Sequence, residues 1–272
     1  MKKILISIIT AMMILPLCIR PVKADMGPKP AIYLEFEEKY GSEYYCVLMS
    51  NLERSGPNGP LNGTDDYGMG NLPAKLFDVL MEYSDADGCK PWNLIYNFND
   101  NSSVSWTYYA PSVFKIALYK ADGTLVAISK LVEKETFRGY FNCSVEGNTI
   151  KIKDNYNYRG EILKLAARMA ITVIVELAIG FIFGYRSKKQ IITIIITNVI
   201  TQLLLNILIT VDTIYGGGFA SMILMIPAEG VIMIIESIVY CLLFKQSKGK
   251  IIVYTIVANI LTFLLTFTSL AL

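Results

Sequence analysis

The chain has 272 residues, of which 53% are hydrophobic and only 18% charged, with a formal net charge of +2. Soluble domains average about 25% charged residues, so this composition excludes a single water-soluble globule. The chain has no histidine, which removes the Ser–His and Cys–His dyads, the commonest general base and the usual zinc ligand.

Residues 1–24 read as a signal peptide. Lys2 and Lys3 form its charged start, residues 4–15 are apolar, and Val22-Lys23-Ala24 offers a small-residue cleavage pattern before Asp25. An uncleaved anchor is the competing reading, and either one places the segment after Ala24 outside the cytoplasm. Residues 25–159 hold 18 acidic and 13 basic residues, a net −5. Elsewhere the basic residues gather beside apolar runs, so no basic patch offers itself to nucleic acid.

Residues 25–160 are expected to form an extracytoplasmic, mostly β domain. In 31–37, Ile32, Leu34 and Phe36 alternate with Tyr33, Glu35 and Glu37, the period of a half-buried strand. Residues 44–50 are a second aromatic and β-branched run. Residues 51–73 contain five glycines and three prolines, which predicts a long irregular loop. Leu76, Phe77, Leu80 and Met81 then recur at helical spacing, so 74–83 reads as a short amphipathic helix. Further strands are expected at 103–109, 112–120, 124–129, 137–145 and 149–156. Ala121-Asp122-Gly123 and Glu146-Gly147-Asn148 supply two hairpin turns. This number of short strands points to a small β-sandwich-like domain or a barrel, with the sandwich preferred.

Asp85-Ala86-Asp87-Gly88 resembles the opening of a calcium loop but lacks the later ligands and the closing glutamate, so it is read as a turn. Cys46, Cys89 and Cys143 allow at most one disulfide. Trp106-Thr107-Tyr108-Tyr109 reads either as a binding face or as half-buried strand.

Residues 161–272 are expected to form a four-helix transmembrane domain with spans 163–185, 191–211, 219–244 and 251–272, each near or above the roughly 20 residues that cross a bilayer. Arg186, Lys188 and Lys189 mark the first joint and Lys245, Lys248 and Lys250 the third; the second joint, 212–218, has no basic residue. The positive-inside rule puts both basic joints in the cytoplasm. The fold class is therefore α+β: an outer β domain on a membrane bundle.

Polar side chains interrupt the apolar spans. Glu176 lies in the first, Asn198, Gln202 and Asn206 in the second, Glu229 and Glu236 in the third, and Asn259, among Thr255, Thr262 and Thr266, in the fourth. Counted from the cytoplasmic ends at 1.5 Å per residue, Glu176, Asn198, Glu236 and Asn259 fall at one depth of roughly 10–14 Å, with Glu229 and Asn206 at roughly 22 Å. These residues form an intramembrane polar cluster with two readings. They hydrogen-bond the bundle together, or they form a carboxylate site for a proton, a cation or a polar ligand. Gly180 and Gly184 match the G-x-x-x-G helix-packing motif. Arg168, near the outer end of its helix, is expected to snorkel outward.

Asp25-Met26-Gly27-Pro28-Lys29-Pro30, Ser105-Trp106-Thr107-Tyr108-Tyr109, Phe114-Lys115-Ile116, Asn198, Thr201-Gln202, Leu205-Asn206 and the Glu229-to-Glu236 pattern ending in Tyr240 resemble a family of membrane proteins of uncharacterised activity from Gram-positive, clostridia-like bacteria. The resemblance implies a multi-pass cell-membrane protein with an N-terminal exported domain and four C-terminal transmembrane helices. It implies no activity.

The expected function is a non-enzymatic envelope protein whose β domain binds a partner or ligand. The alternative is a small transporter, or transporter subunit, using the intramembrane glutamates and asparagines. The expected contacts are the lipid bilayer and either a membrane or envelope protein or a second copy of the chain. No cofactor is expected.

Overall fold

The computed structural model describes residues 27–62 and 72–271, with side chains described to Leu265. The expected signal peptide and the middle of the Gly/Pro-rich loop lie outside the described residues.

Among the described residues nine strands precede the membrane helices: β1 (Ala31–Tyr40), β2 (Tyr44–Ser50), β3 (Lys90–Asn97), β4 (Asn101–Trp106), β5 (Val113–Lys120), β6 (Leu125–Ser129), β7 (Val132–Glu133), β8 (Arg138–Glu146) and β9 (Thr149–Asp154). A short helix, α1 (Ala74–Glu82), lies between β2 and β3. Eight strands run in the order β3-β2-β5-β6-β9-β8-β1-β4, and β7 pairs with β5.

This is one barrel-like sheet, which corrects the sandwich expectation. A sandwich would keep β3-β2-β5-β6 and β9-β8-β1-β4 as two sheets. Here a short parallel ladder, Ile128 opposite Thr149 and Ser129 opposite Ile150, joins β6 to β9. The join satisfies two edges that would otherwise stand open. The sheet curls so that Ile32, Leu34 and Phe36 of β1 and Phe141 and Cys143 of β8 share one core with Leu48 of β2 and Ile116 and Leu118 of β5.

Both expected hairpins form. Gly123 and Gly147 take φ +86° and +62° at their turns, a region open to glycine without steric cost. β2 and β5 lose the two-residue alternation because both of their faces are covered. Leu76 and Leu80 of α1 pack on Val47, Met49, Ala117 and Tyr119, on the side away from the main core. β3 is an addition to the expected strands. It sits at the sheet edge, where Pro91, which has no N–H to give, is tolerated.

Four long apolar helices follow, making this a membrane protein: α2 (Tyr158–Ile182), α3 (Lys188–Gly216), α4 (Phe219–Leu243) and α5 (Lys248–Ala271). Their ends are set by local chemistry. Asn157 caps α2 by accepting from the Gly160 amide. Ser187 and Gln190 form a reciprocal capping box at the start of α3, which satisfies two otherwise orphaned donors. Gly217 and Gly218, at φ +82° and +80°, are the whole connection from α3 to α4. The expected seven-residue joint shrinks because Asp212 stays helical; its Oδ2 accepts from the Ser221 amide (2.9 Å) and hydroxyl (2.7 Å) at the start of α4.

α2 and α4 each pack against both α3 and α5, so the helices form a square with alternating direction. The β domain touches the end of this square that carries the α3–α4 turn. The Phe137 amide donates to the Ile214 carbonyl at 2.8 Å. A Cβ on Gly217 would lie 2.6 Å from the Phe137 ring, so only glycine lets that ring seat. The basic joints lie at the opposite end.

Candidate functional site

Each helix buries one polar stripe, and the stripes meet in the middle of the square. On α4, Ser221, Met225, Glu229, Ile232, Glu236 and Tyr240 recur every three or four residues and are all buried. On α3 the buried face is amphipathic within the membrane, running Gln190, Ile194, Asn198, Thr201, Gln202, Asn206 and Thr210. Glu176 of α2 and Glu236 of α4 have no solvent exposure (0% each).

An asparagine from a neighbouring helix holds each of these two carboxyls. Asn198 Nδ2 lies 2.6 Å from Glu176 Oε2 and 3.2 Å from the Tyr240 hydroxyl. Asn259 Nδ2 of α5 donates to Glu236 Oε2 at 2.7 Å. Both amides also donate to the carbonyl four residues back in their own helix, Ile194 and Thr255. This fixes the nitrogen, not the oxygen, toward the carboxyl. Thr201 Oγ1 lies 2.9 Å from Glu236 Oε1, and the Tyr254 hydroxyl of α5 donates to the Glu176 carbonyl at 3.3 Å. All four helices therefore contribute to one layer containing Glu176, Asn198, Glu236 and Asn259. Glu176 Oε1, Asn198 Oδ1 and Asn259 Oδ1 are buried there without a hydrogen-bond partner.

Glu229 and Asn206, at similar expected depth, are not joined by a hydrogen bond. Gln202 lies beside Glu229. Asn206 Nδ2 donates to the Gln202 carbonyl and to Gln202 Oε1, at 2.9 and 3.2 Å. Asn206 Oδ1 instead accepts from Arg168 Nε at 2.8 Å, and Arg168 Nη2 donates to the Thr210 hydroxyl at 3.1 Å. Arg168 thus turns into the bundle rather than outward. Its guanidinium, near the end of a membrane helix, places two of its five donors on α3.

Thr201, Tyr240, Tyr254 and Arg168 are members that spacing alone does not single out. Both tyrosines are fully buried and point inward. Tyr185, Tyr240, Tyr254 and Phe244 form a packed aromatic cluster with ring centroids 4.9–5.8 Å apart. The cluster closes the basic end of the square. The two glycines of the G-x-x-x-G pair part company. A Cβ on Gly180 would meet Ile194 Cδ1 at 3.1 Å, so this glycine permits close approach of α2 and α3. Gly184 lies beyond the end of α2 at φ +81°, with only Lys250 Nζ near, 3.9 Å from where a Cβ would stand.

The β domain holds weaker candidates. Lys115 on the outer face of β5 lies 2.6 Å from Asp85 Oδ2 and also pairs with Asp87. Burial alone would push the Asp85 carboxyl up, but Lys115 and the Cys89 and Asp87 amides outweigh it and hold the carboxyl below its usual range. The turn spends its acids on an internal lysine. Cys46, Cys89 and Cys143 are all free and buried, and burial pushes the Cys143 thiol up to about 12. Lys134 is buried with its ammonium donating to the Thr136 and Phe137 carbonyls at 3.0 and 2.7 Å. Burial pushes it down to about 8.

Among the described residues no three or more Cys, Asp or Glu side chains gather closely enough to hold a metal ion. Comparison with protein-family models, curated proteins and solved structures finds no match in any of the three.

Proposed function

We propose that the chain is a small proton-translocating transporter of the bacterial cell membrane, with the β domain on the extracytoplasmic side. One observation carries this reading: two fully buried carboxyls, Glu176 and Glu236, share a layer to which all four helices contribute. An acidic group at the bilayer centre costs about 2.5–3.5 kcal/mol on insertion scales. Bundles that need only cohesion can obtain it from amides and hydroxyls, as the contact of Asn198 Nδ2 of α3 with the Tyr240 hydroxyl of α4 illustrates. Retaining carboxyls at this cost is understandable if their protonation changes during function. The orientation is supported by the basic joints, which stand at the end of the square away from the β domain. The resemblance to clostridia-like membrane proteins agrees with this setting.

The test is the collapse of an imposed pH gradient across phospholipid vesicles containing the purified protein and a trapped pH-sensitive dye. The protein is expected to speed the collapse, and Glu176→Gln, folded by size exclusion, to abolish the effect. Vesicles that hold the gradient as long as empty ones overturn the reading.

A second reading, partner binding by the β domain, is favoured by one local feature. Tyr109 adopts φ +51° with its ring against Gly56, and Asn58 Nδ2 donates to the Tyr108 carbonyl at 2.7 Å. A bulky residue held in this region stores strain of about 1–3 kcal/mol, and such strain concentrates at functional sites. If removing residues 51–62 leaves the set of proteins that co-purify in mild detergent unchanged, partner binding through this loop is excluded.

A further inference from the structure

We propose that the two central carboxyls have different roles: Glu236 is a resident neutral acid that builds the site, and Glu176 is the group that gains and loses the transported proton, one per cycle. This rests on reading the layer as a proton site, and it comes from counting hydrogens.

The Thr201 hydroxyl has one hydrogen and three oxygens within reach: the Thr197 carbonyl at 3.0 Å, the Asn198 carbonyl at 3.3 Å and Glu236 Oε1 at 2.9 Å. Backbone carbonyls can only accept, whereas a carboxyl oxygen can donate once it carries a proton. One assignment makes both short contacts hydrogen bonds. Thr201 gives its hydrogen to the Thr197 carbonyl, and Glu236 presents a proton on Oε1 to the threonine oxygen. Glu236 Oε2 then serves as the carbonyl oxygen and accepts from Asn259. Each Glu236 oxygen has a partner, and no charge is placed in the bundle. Removing that proton would draw the Thr201 hydrogen off its helix carbonyl and leave an anion.

Glu176 is built differently. Its Oε2 accepts one hydrogen of the Asn198 amide, whose second hydrogen is shared between the Ile194 carbonyl and the Tyr240 hydroxyl. That bond can be made whether the carboxyl is neutral or ionised. Its Oε1 has no partner, so a proton arriving there displaces nothing and one leaving breaks nothing. Glu176 can change charge without rearranging the network, and Glu236 cannot.

The groups facing Glu176 are Asn198 from α3, Glu236 and Tyr240 from α4, with Glu229 further along that helix, and Tyr254 from α5. Glu236 faces Thr201, Asn259 and Glu176, with Glu229, Tyr240 and Tyr254 also near it. None of these is a cation. Arg168, eight residues before Glu176, is engaged with Asn206 and Thr210. A metal ion suits the layer poorly, because the asparagine N–H groups that point at the carboxyls would repel it.

The test is infrared spectroscopy of the full-length protein in detergent, titrated upward from pH 6. There exposed carboxyls, with ordinary values near about 4, are already ionised and do not contribute to the carbonyl band of protonated acids. The wild-type protein is expected to show one component that persists and one that titrates away. Glu236→Gln should remove the persistent component and Glu176→Gln the titrating one, with any Glu229 contribution identified by Glu229→Gln. Thr201→Val, which keeps the carboxyl but removes its acceptor, should shift the persistent component and spare the other, covering the case in which Glu236→Gln fails to fold. The proposal is overturned if the assignments are reversed, if both components titrate together, or if the Glu176 component responds to sodium at constant pH. Proton-tight vesicles with this division intact would remove the transport reading alone. Leaky vesicles with both components titrating together would remove the division alone.

Discussion

Replacing Asn198 by leucine removes the amide that ties α3 to two neighbours while keeping a side chain of similar reach. Asn198 Nδ2 makes cross-helix contacts to Glu176 Oε2 at 2.6 Å and to the Tyr240 hydroxyl at 3.2 Å. Interhelical hydrogen bonds within membranes are worth about 0.6–2 kcal/mol each, so Asn198→Leu should destabilise the bundle by about 1–4 kcal/mol. Leucine returns little of this, since lipid is as apolar as the bundle interior and burying a methyl group gains nothing. The matched control is Thr262→Val. Thr262 Oγ1 reaches only the Ala258 and Asn259 carbonyls of its own helix, at 3.1 and 3.0 Å, and this kind of back-bonding contributes little or slightly destabilises. The assay is unfolding in mild detergent followed by the far-ultraviolet helix signal. Thr262→Val should unfold close to the wild type and Asn198→Leu well before it. If the two variants unfold together, the contacts that define the layer carry no energy and the site as described fails.

Both tryptophans of the chain, Trp92 and Trp106, lie in the β domain and are buried, so their fluorescence reports that domain alone. Asp85→Ala strips Lys115 of one partner and the turn of two amide contacts; the tryptophan signal should report a loss of about 1.5–3 kcal/mol, the range for a bond to a charged group. The Lys134 ammonium, pushed from 10.5 to about 8 by burial, gives the domain a stability that increases with pH. Above pH 8 the unfolded chain holds a proton that the native state has released, so this lysine makes unfolding harder as pH rises. From about pH 9 the buried Cys46, Cys89 and Cys143 thiols, all raised by burial, and then the Tyr40 and Tyr119 hydroxyls, raised to about 12 mainly by burial, act in the opposite sense. The stability of the wild type relative to Lys134→Met should therefore rise between about pH 8 and 9.5, the thiols being common to both, and a difference that stays flat or falls over that range would contradict it.

Local chemistry made much of the architecture legible. Gly123 and Gly147 announce hairpins because few residues accept their backbone angles, and the membrane helices announce themselves by length. What stayed hidden is non-local. The β6–β9 ladder that turns two expected sheets into one rests on two residue pairs, and nothing in Ile128, Ser129, Thr149 or Ile150 marks a strand for a parallel partner. β3 stayed hidden because Pro91 and Asn93 look like loop residues until the strand is known to lie at an edge.

Within the membrane, depth was legible and direction was not. A constant rise per residue, counted from basic joints, is enough to bring Glu176, Asn198, Glu236 and Asn259 to one height. The same count set Asn206 level with Glu229, yet Asn206 bonds Arg168. The reason is angular. At about 100° per residue, Thr201 lies about 60° to one side of Asn198 and Asn206 about 80° to the other. Thr201 accordingly meets Glu236 of α4, and Asn206 faces α2, where Arg168 stands eight residues before Glu176. Two donors from one guanidinium then settle on Asn206 and Thr210, one turn apart on the same face of α3. Height alone pairs Asn206 with a carboxylate; height and azimuth together pair it with the arginine.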